Sequence, residues 1–263
     1  PRLEQVDCGW QGCDEVLSAP DPALTDYLLN YLNAPLVWYA IDPTPLDAAL
    51  LDQLGSRYSR IWLLRDRNAA ADDGEGRRAA ERYLAEHAYK LDEQQADDWA
   101  RLMQFSAAGQ AAELVEPTAV LGDIVLERAT LGIEWRGDAP AATDPLDDGV
   151  VQARPSDTLQ VSLNWRAEQP PAGNYTAFVQ LLDEANQVRA QRDRWPGDGL
   201  FPTAALAAGQ VITDNLALPL PADLPPGRYR LIAGLYRGDV AGYPRLSGPG
   251  GDFVELPAIQ VQP

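Results

Sequence analysis

Apolar residues change their spacing near the middle of the chain. In the first hundred positions short continuous runs separate helical stripes. Val16 to Ala19 is one such run, and Asp21 with Pro22 then forms a helix start, the carboxylate placed to cap and the proline in the first turn. Leu24, Tyr27, Leu28, Tyr31 and Leu32 recur at helical spacing as one stripe. Pro35 ends it, and the run Leu36 to Ile41 suits a strand covered on both faces. Thr44, Pro45 and Asp47 start a second helix, with Leu46, Ala49, Leu50 and Leu54 inward and Gly55 as its stop. Ile61 to Leu64 reads as another buried strand, followed by a polar loop and a helix that turns Ala79, Ala80, Tyr83 and Leu84 inward. This alternation predicts a Rossmann-like α/β layer over residues 1–112, its sheet parallel and its faces covered by helices. Two segments after Tyr89, ending in Leu102 to Phe105, add antiparallel edge strands to that expectation.

Beyond about Val120 the helical period gives way to strict alternation. Leu159, Val161, Leu163 and Trp165 fall on one face of a strand, and Thr158, Gln160, Ser162 and Asn164 on the other. Tyr175 to Leu182 and Tyr229 to Tyr236 behave alike, with further strands expected at Ile124 to Leu131, Val188 to Asp193, Val211 to Leu218 and Phe253 to Val261. Proline and glycine punctuate them, which predicts an immunoglobulin-like antiparallel β-sandwich over 118–263. The alanine-rich stretch Ala107 to Thr118 reads as the linker. Two echoing turns, Pro170 to Asn174 and Pro225 to Arg228, each deliver a tyrosine, Tyr175 and Tyr229, into a strand. Each ring is expected to pack there and send its hydroxyl back to the chain, a structural task.

Charge narrows the function classes. A formal net charge of −18 over 263 residues repels nucleic acid and anionic lipid. No stretch approaches the ~20 apolar residues of a membrane span. The chain starts at Pro1 and reads as a piece excised from something longer. No glycine-rich phosphate loop follows the first strand, so no nucleotide cofactor is expected.

Candidate chemistry is sparse. Cys8 and Cys13 could close a small loop worth about 2 kcal/mol in an oxidising compartment, or remain ordinary thiols. Their spacing suits neither a redox pair nor zinc, and no metal site is expected. His87, the one histidine, falls in the last turn of a predicted helix, where a cation suits the dipole, and no serine has a nucleophile-elbow context. Carboxylates cluster at Asp72, Asp73 and Glu75, at Asp92, Glu93, Asp97 and Asp98, and at Asp144, Asp147 and Asp148. None has calcium-loop spacing, and a solvated acidic surface accounts for them. No catalytic residue is therefore assigned.

Two places could bind a ligand. Strand ends of an α/β layer favour ligands, and there Asp42, Arg65, Asp66 and Arg67 could floor a crevice with Trp38 or Tyr39 as a stacking face. An ordinary surface ion pair fits the same residues. The loop Arg192 to Pro202 joins Arg194 to the rings of Trp195 and Phe201, a mix suited to sugar or partner recognition, or to a long connection pinned by its own aromatics.

Several segments together carry a resemblance. Pro20 to Leu24 through Trp38-Tyr39, Arg60 to Leu64 and Ala80 to Tyr89 resemble the soluble tail of bacterial membrane glycosyltransferases similar to protein O-mannosyltransferases, which use polyprenyl-phosphate sugars. Leu163 to Ala167, Phe178 to Asp183 and Pro225 to Leu231 resemble the β-domain appended to some of those tails. The family's catalytic acidic residue sits on an extracytoplasmic loop between its first membrane spans, which this sequence does not contain, so none is carried over. The resemblance implies a non-catalytic extracytoplasmic accessory region, tethered through the membrane domain of its parent and positioning glycan or acceptor protein. An independent carbohydrate- or protein-binding sandwich on an α/β spacer fits the residues too. So does a glycoside hydrolase using two loop carboxylates.

Overall fold

The structure is a computed structural model. It describes residues 3–4, 15–17, 37–39, 60–66, 79–97, 100–106, 110–134, 146–147 and 149–263, with side chains at 61–63, 81–94, 101–106, 115–134 and 149–263. The chain divides into two compact units, residues 1–84 with 90–108, and residues 85–89 with 109–263.

In the first unit β1 (Leu3–Glu4), β2 (Glu15–Leu17) and β3 (Val37–Tyr39) form a small sheet, β1 antiparallel and β3 parallel to β2. A second set, β4 (Arg60–Asp66), β5 (Tyr89–Asp97) and β6 (Ala100–Ser106), runs in the order β4-β6-β5. Helix α1 spans Ala79–His87. It is built from strong helix formers, with Glu81 in its first turn complementing the dipole and His87, exposed, in its last. Arg101 of β6 ties the helix down, reaching Glu81 at 3.1 Å and Glu93 at 2.9 Å.

This overturns the Rossmann-like layer. β4 is the third strand of the expected parallel sheet, yet it pairs antiparallel with β6, Ile61 opposite Phe105 and Leu63 opposite Met103. Among the described residues the fold is mainly β, with α1 as its one α-helix. The error has a physical source. Ile61 and Leu63 are buried and Trp62 between them only half so, an alternation that the continuous apolar letters conceal. The helices expected at 21–32 and 44–55 lie outside the described residues.

The second unit is a β-sandwich. Its strands are β7 (Gln110–Val115), β8 (Ala119–Leu121), β9 (Ile124–Glu134), β10 (Leu146–Asp147), β11 (Val150–Ala153), β12 (Thr158–Ala167), β13 (Thr176–Leu182), β14 (Val188–Arg194), β15 (Val211–Pro219), β16 (Gly227–Tyr236) and β17 (Val254–Val261). One sheet carries the order β10-β11-β17-β16-β13-β14, the other β15-β12-β9-β7 with β8 also on β9. β7 occupies part of the alanine-rich stretch and pairs with β9. The sheets are not wholly antiparallel, as an immunoglobulin-like sandwich would have them, because β11 runs parallel to β17.

The core follows the alternation. Leu159, Val161, Leu163 and Trp165 of β12 are fully buried and pack with Val179, Leu181, Leu231, Ala233 and Leu235 from the other sheet. The two echoing tyrosines hold the corners as expected. Tyr229 donates its hydroxyl to the Pro225 carbonyl at 2.7 Å. Tyr175 donates to Asp123 Oδ2 at 2.7 Å while accepting from the Ala172 N–H at 3.2 Å, and burial followed by the Asp123 bond pushes its pKa up to about 12. Among the described residues no helix is long and apolar enough to cross a membrane.

Candidate functional site

The crevice expected at the strand ends cannot be followed far. Trp38 and Tyr39 lie on β3 and Arg65 and Asp66 close β4, but their side chains, and Asp42 and Arg67 altogether, lie outside the described residues, as do Cys8 and Cys13. Of the acidic clusters, 72–75, Asp98, Asp144 and Asp148 lie outside them too. Asp92 and Glu93 are exposed on β5. No group of three or more potential metal ligands gathers among the described residues.

The loop after β14 is described in full, and it separates its three expected residues. Arg194 stands opposite Ala177 and turns inward, its side chain 8 % exposed. Its Nη2 donates to the Asn215 carbonyl, and the guanidinium lies 3.5 Å from Asp214 Oδ1 and 3.4 Å from Asp198 Oδ2. Asp214, on β15, is 0 % exposed and accepts the Gly197 N–H at 3.0 Å. Its Oδ2 and the Arg194 Nε have no hydrogen-bond partner. Gly197, Asp198 and Gly199 are all left-handed, at φ 58°, 55° and 83°. A side chain at Gly197 would meet the Phe201 ring at 2.4 Å, so glycine is required on both counts. Phe201 packs against the sandwich core, whereas Trp195 stays 51 % exposed. Of the three residues, then, one faces solvent and two hold the loop.

Burial raises the Asp214 pKa, with the Arg194 charge and the Gly197 N–H pulling the other way. The sign of the pH effect follows. The folded protein holds this proton more tightly than the unfolded chain, so the associated stability is complete below the unfolded value of 3.8 and is lost as pH rises through the higher folded value. The stability gap between the wild type and Asp214→Asn should therefore fall as pH rises from ~4 toward neutrality. Thermal melts of both proteins across that range test it, and a gap that widens upward contradicts it.

A second constellation, not assembled from the sequence, lies on the face of the six-stranded sheet that points away from the core. Phe178 stands between Asp193 and Gly234 in the register. Its ring fills the space above Gly234, where a Cβ would come within 2.5 Å of it. The chain after β16 then folds back over the sheet, Arg237 N–H donating to the Pro244 carbonyl at 3.0 Å and Leu246 N–H to the Leu235 carbonyl at 2.8 Å. That return places the Arg245 guanidinium 4.3 Å above the Phe178 ring, with Nη2 donating to Gln180 Oε1 at 3.1 Å. Tyr236 lies 6.4 Å from Phe178 and meets Tyr243 edge-on at 6.2 Å between centroids. Tyr243 is 65 % exposed. The Asp193 carboxyl lies on the same face, its pKa raised by partial burial while the Tyr236 hydroxyl and the Arg245 charge oppose that rise. Gln180 and Gln191 face each other alongside, Nε2 to Oε1 at 3.4 Å. One solvent-facing surface thus combines phenol rings with a carboxylate, a guanidinium and two amides. The sequence did hold one clue, a glycine inside an apolar strand, which marks a close ring approach.

No family model matches the chain, and no curated protein matches it. Three solved structures show partial likeness. The crystal structure of the C-terminal domain of wzt aligns over 54 % of this chain and 75 % of that one, at 12 % identity and a TM-score of 0.32. A β-glucuronidase from glycoside hydrolase family 2 aligns over 32 % of this chain and 8 % of its own, at 15 % identity and 0.26. An endonuclease/exonuclease/phosphatase from Beutenbergia cavernae DSM 12333 aligns over 97 % and 65 %, at 14 % identity and 0.25. Scores this low define no shared fold.

Proposed function

We propose that the sandwich unit is a non-catalytic recognition module for neutral glycans, and that Tyr243 with Tyr236, Asp193, Arg245, Gln180 and Gln191 is its binding surface. The observation that carries the reading is Tyr243, a ring 65 % exposed yet held edge-on against Tyr236, beside paired polar groups. A phenol ring offers an apolar face to the C–H side of a pyranose, while a carboxylate and amides take its hydroxyls in pairs. The net charge of −18 disfavours uronic or phosphorylated glycans, which leaves neutral ones. The resemblance in Leu163 to Ala167 and Pro225 to Leu231 supports the setting we propose for it, outside the cytoplasmic membrane as an accessory region of a polyprenyl-phosphate-sugar-dependent glycosyltransferase.

Isothermal titration with neutral manno-, gluco- and galacto-oligosaccharides tests the module. At least one series should bind, and Tyr243→Ala should weaken it about tenfold, the loss of one stacking contact of about 1.4 kcal/mol. Binding by none of them, or binding indifferent to Tyr243, defeats the reading. Incubation of the chain with the same sugars, or with lipid-linked sugar and acceptor peptide, should leave them chemically unchanged.

A further inference from the structure

We infer that Tyr243 is set in its binding position before any ligand arrives, at a cost in backbone conformation, and that Arg237 and Asp239 are the residues that hold it there. On the glycan reading, on which this rests, two positioning residues thus join the site. Tyr243 has φ 48°, in the left-handed region, and follows Gly242 at φ 84°. There the Cβ crowds the carbonyl oxygen that follows it, so glycine or asparagine is accepted readily and a bulky side chain is not. Among the described residues the others that are not glycine and have positive φ are Thr118, Ser156, Asn186 and Asp198, all small and polar. Packing returns little for the tyrosine, whose ring is 65 % exposed and meets Tyr236 only edge-on. A ring kept where the backbone resists it, and mostly in solvent, is kept for its open face.

The chain around Tyr243 is a short closed loop. Val240 N–H donates to the Arg237 carbonyl at 3.4 Å, Tyr243 N–H to the Val240 carbonyl at 3.0 Å, and Arg237 N–H to the Pro244 carbonyl at 3.0 Å. Arg237 adds a side-chain clasp. Its Nε donates to Asp239 Oδ1 at 2.8 Å and its Nη2 to Asp239 Oδ2 at 2.7 Å, the paired fork of a guanidinium on a carboxylate. The same guanidinium lies against the turn before β13, where a Cβ on Gly173 would come within 3.1 Å of its Cζ. The first turn of the loop is therefore fastened to the sandwich as well as the loop's base. A ring fixed in advance gives up little freedom on binding, and that is how the clasp raises affinity. Its carboxylate is 56 % exposed, so the clasp adds little to global stability.

Two variants of the intact chain test this, by melting, by ¹⁵N relaxation of the free protein and by titration with the neutral oligosaccharides. Tyr243→Asn should raise the melting temperature by about 2 °C, because asparagine accepts the left-handed conformation, while weakening the sugar that the wild type binds about tenfold. Asp239→Ala should melt with the wild type, lose backbone order at Gly242 and Tyr243, and bind the same sugar about threefold more weakly. Asp239→Asn, which keeps an acceptor for Arg237, should recover part of both losses. A Tyr243→Asn protein that melts no higher than the wild type overturns the inference, since the ring would then be a packing residue. So does an Asp239→Ala protein with unchanged loop order or unchanged affinity. Binding of no sugar, with melting and loop order as expected, defeats the glycan reading and leaves the preorganised tyrosine standing.

Discussion

Asp214→Ala should lower sandwich stability by about 3–5 kcal/mol, the usual result of removing one partner from a buried pair and leaving the other unanswered. For a unit of this size that is on the order of a 10 °C fall in melting temperature. The cause is what remains behind. Arg194, 8 % exposed, would keep a full charge with only Asp198 and the Asn215 carbonyl to answer it, and the Gly197 N–H would lose its acceptor. The Gly197 N–H is one anchor of the three left-handed residues, beside the turn bonds from Leu200 and Phe201, so the loop should loosen as well. Hydrogen exchange at 195–201 would report the loosening beside the melt. A shift below about 1 kcal/mol would mean that the pair is solvated in solution.

Phe178→Ala should be comparably severe, about 3–5 kcal/mol as for other buried aromatic truncations, and it should also abolish glycan binding. Phe178 is 0 % exposed yet stands outside the main core, in a small cluster with Leu182 and Ile232, against Tyr236 and Phe253. Its ring is the seat of the Arg245 guanidinium and the neighbour of Tyr236, so removing it unseats two groups of the proposed surface together. Urea unfolding should show a lower midpoint with an unchanged slope. Full binding in a destabilised Phe178→Ala protein would separate the cluster from the surface above it.

The sandwich was legible and the first unit was not, for one reason. In β12 the alternation of Leu159, Val161, Leu163 and Trp165 with polar neighbours states both the element and its buried face. Ile61 to Leu64 states only burial. Whether such a run lies in a parallel or an antiparallel sheet depends on its partner, and the partner, β6, arrives some forty positions later with a register no local pattern encodes. The tyrosine surface was missed for the same reason. Asp193 is some forty positions before Tyr236, Tyr243 and Arg245, and the four meet because β14, β13 and β16 are neighbours and the chain after β16 doubles back. Trp195 was legible only as one aromatic of a distinctive loop, with recognition and pinning both open, and the structure leaves its ring 51 % exposed. The inward role of Arg194 was not, since it depends on Asp214, twenty positions on.

The parallel pairing of β11 with β17 has a bearing on how the chain is made. β17 lies inside its sheet, with β11 on one side and β16 on the other, so residues 150–153 wait for a partner that ends at Val261. During synthesis the earlier strands must remain collapsed but unsealed, with the edges of β11 and β16 open, until that last segment emerges. Such a sheet closes only after translation has run through it, and its long-range pairing makes that closure slow. A ribosome stalled before residue 254 would therefore carry an unfinished sandwich that recruits chaperones, and the unit would become protease-resistant in a single late step.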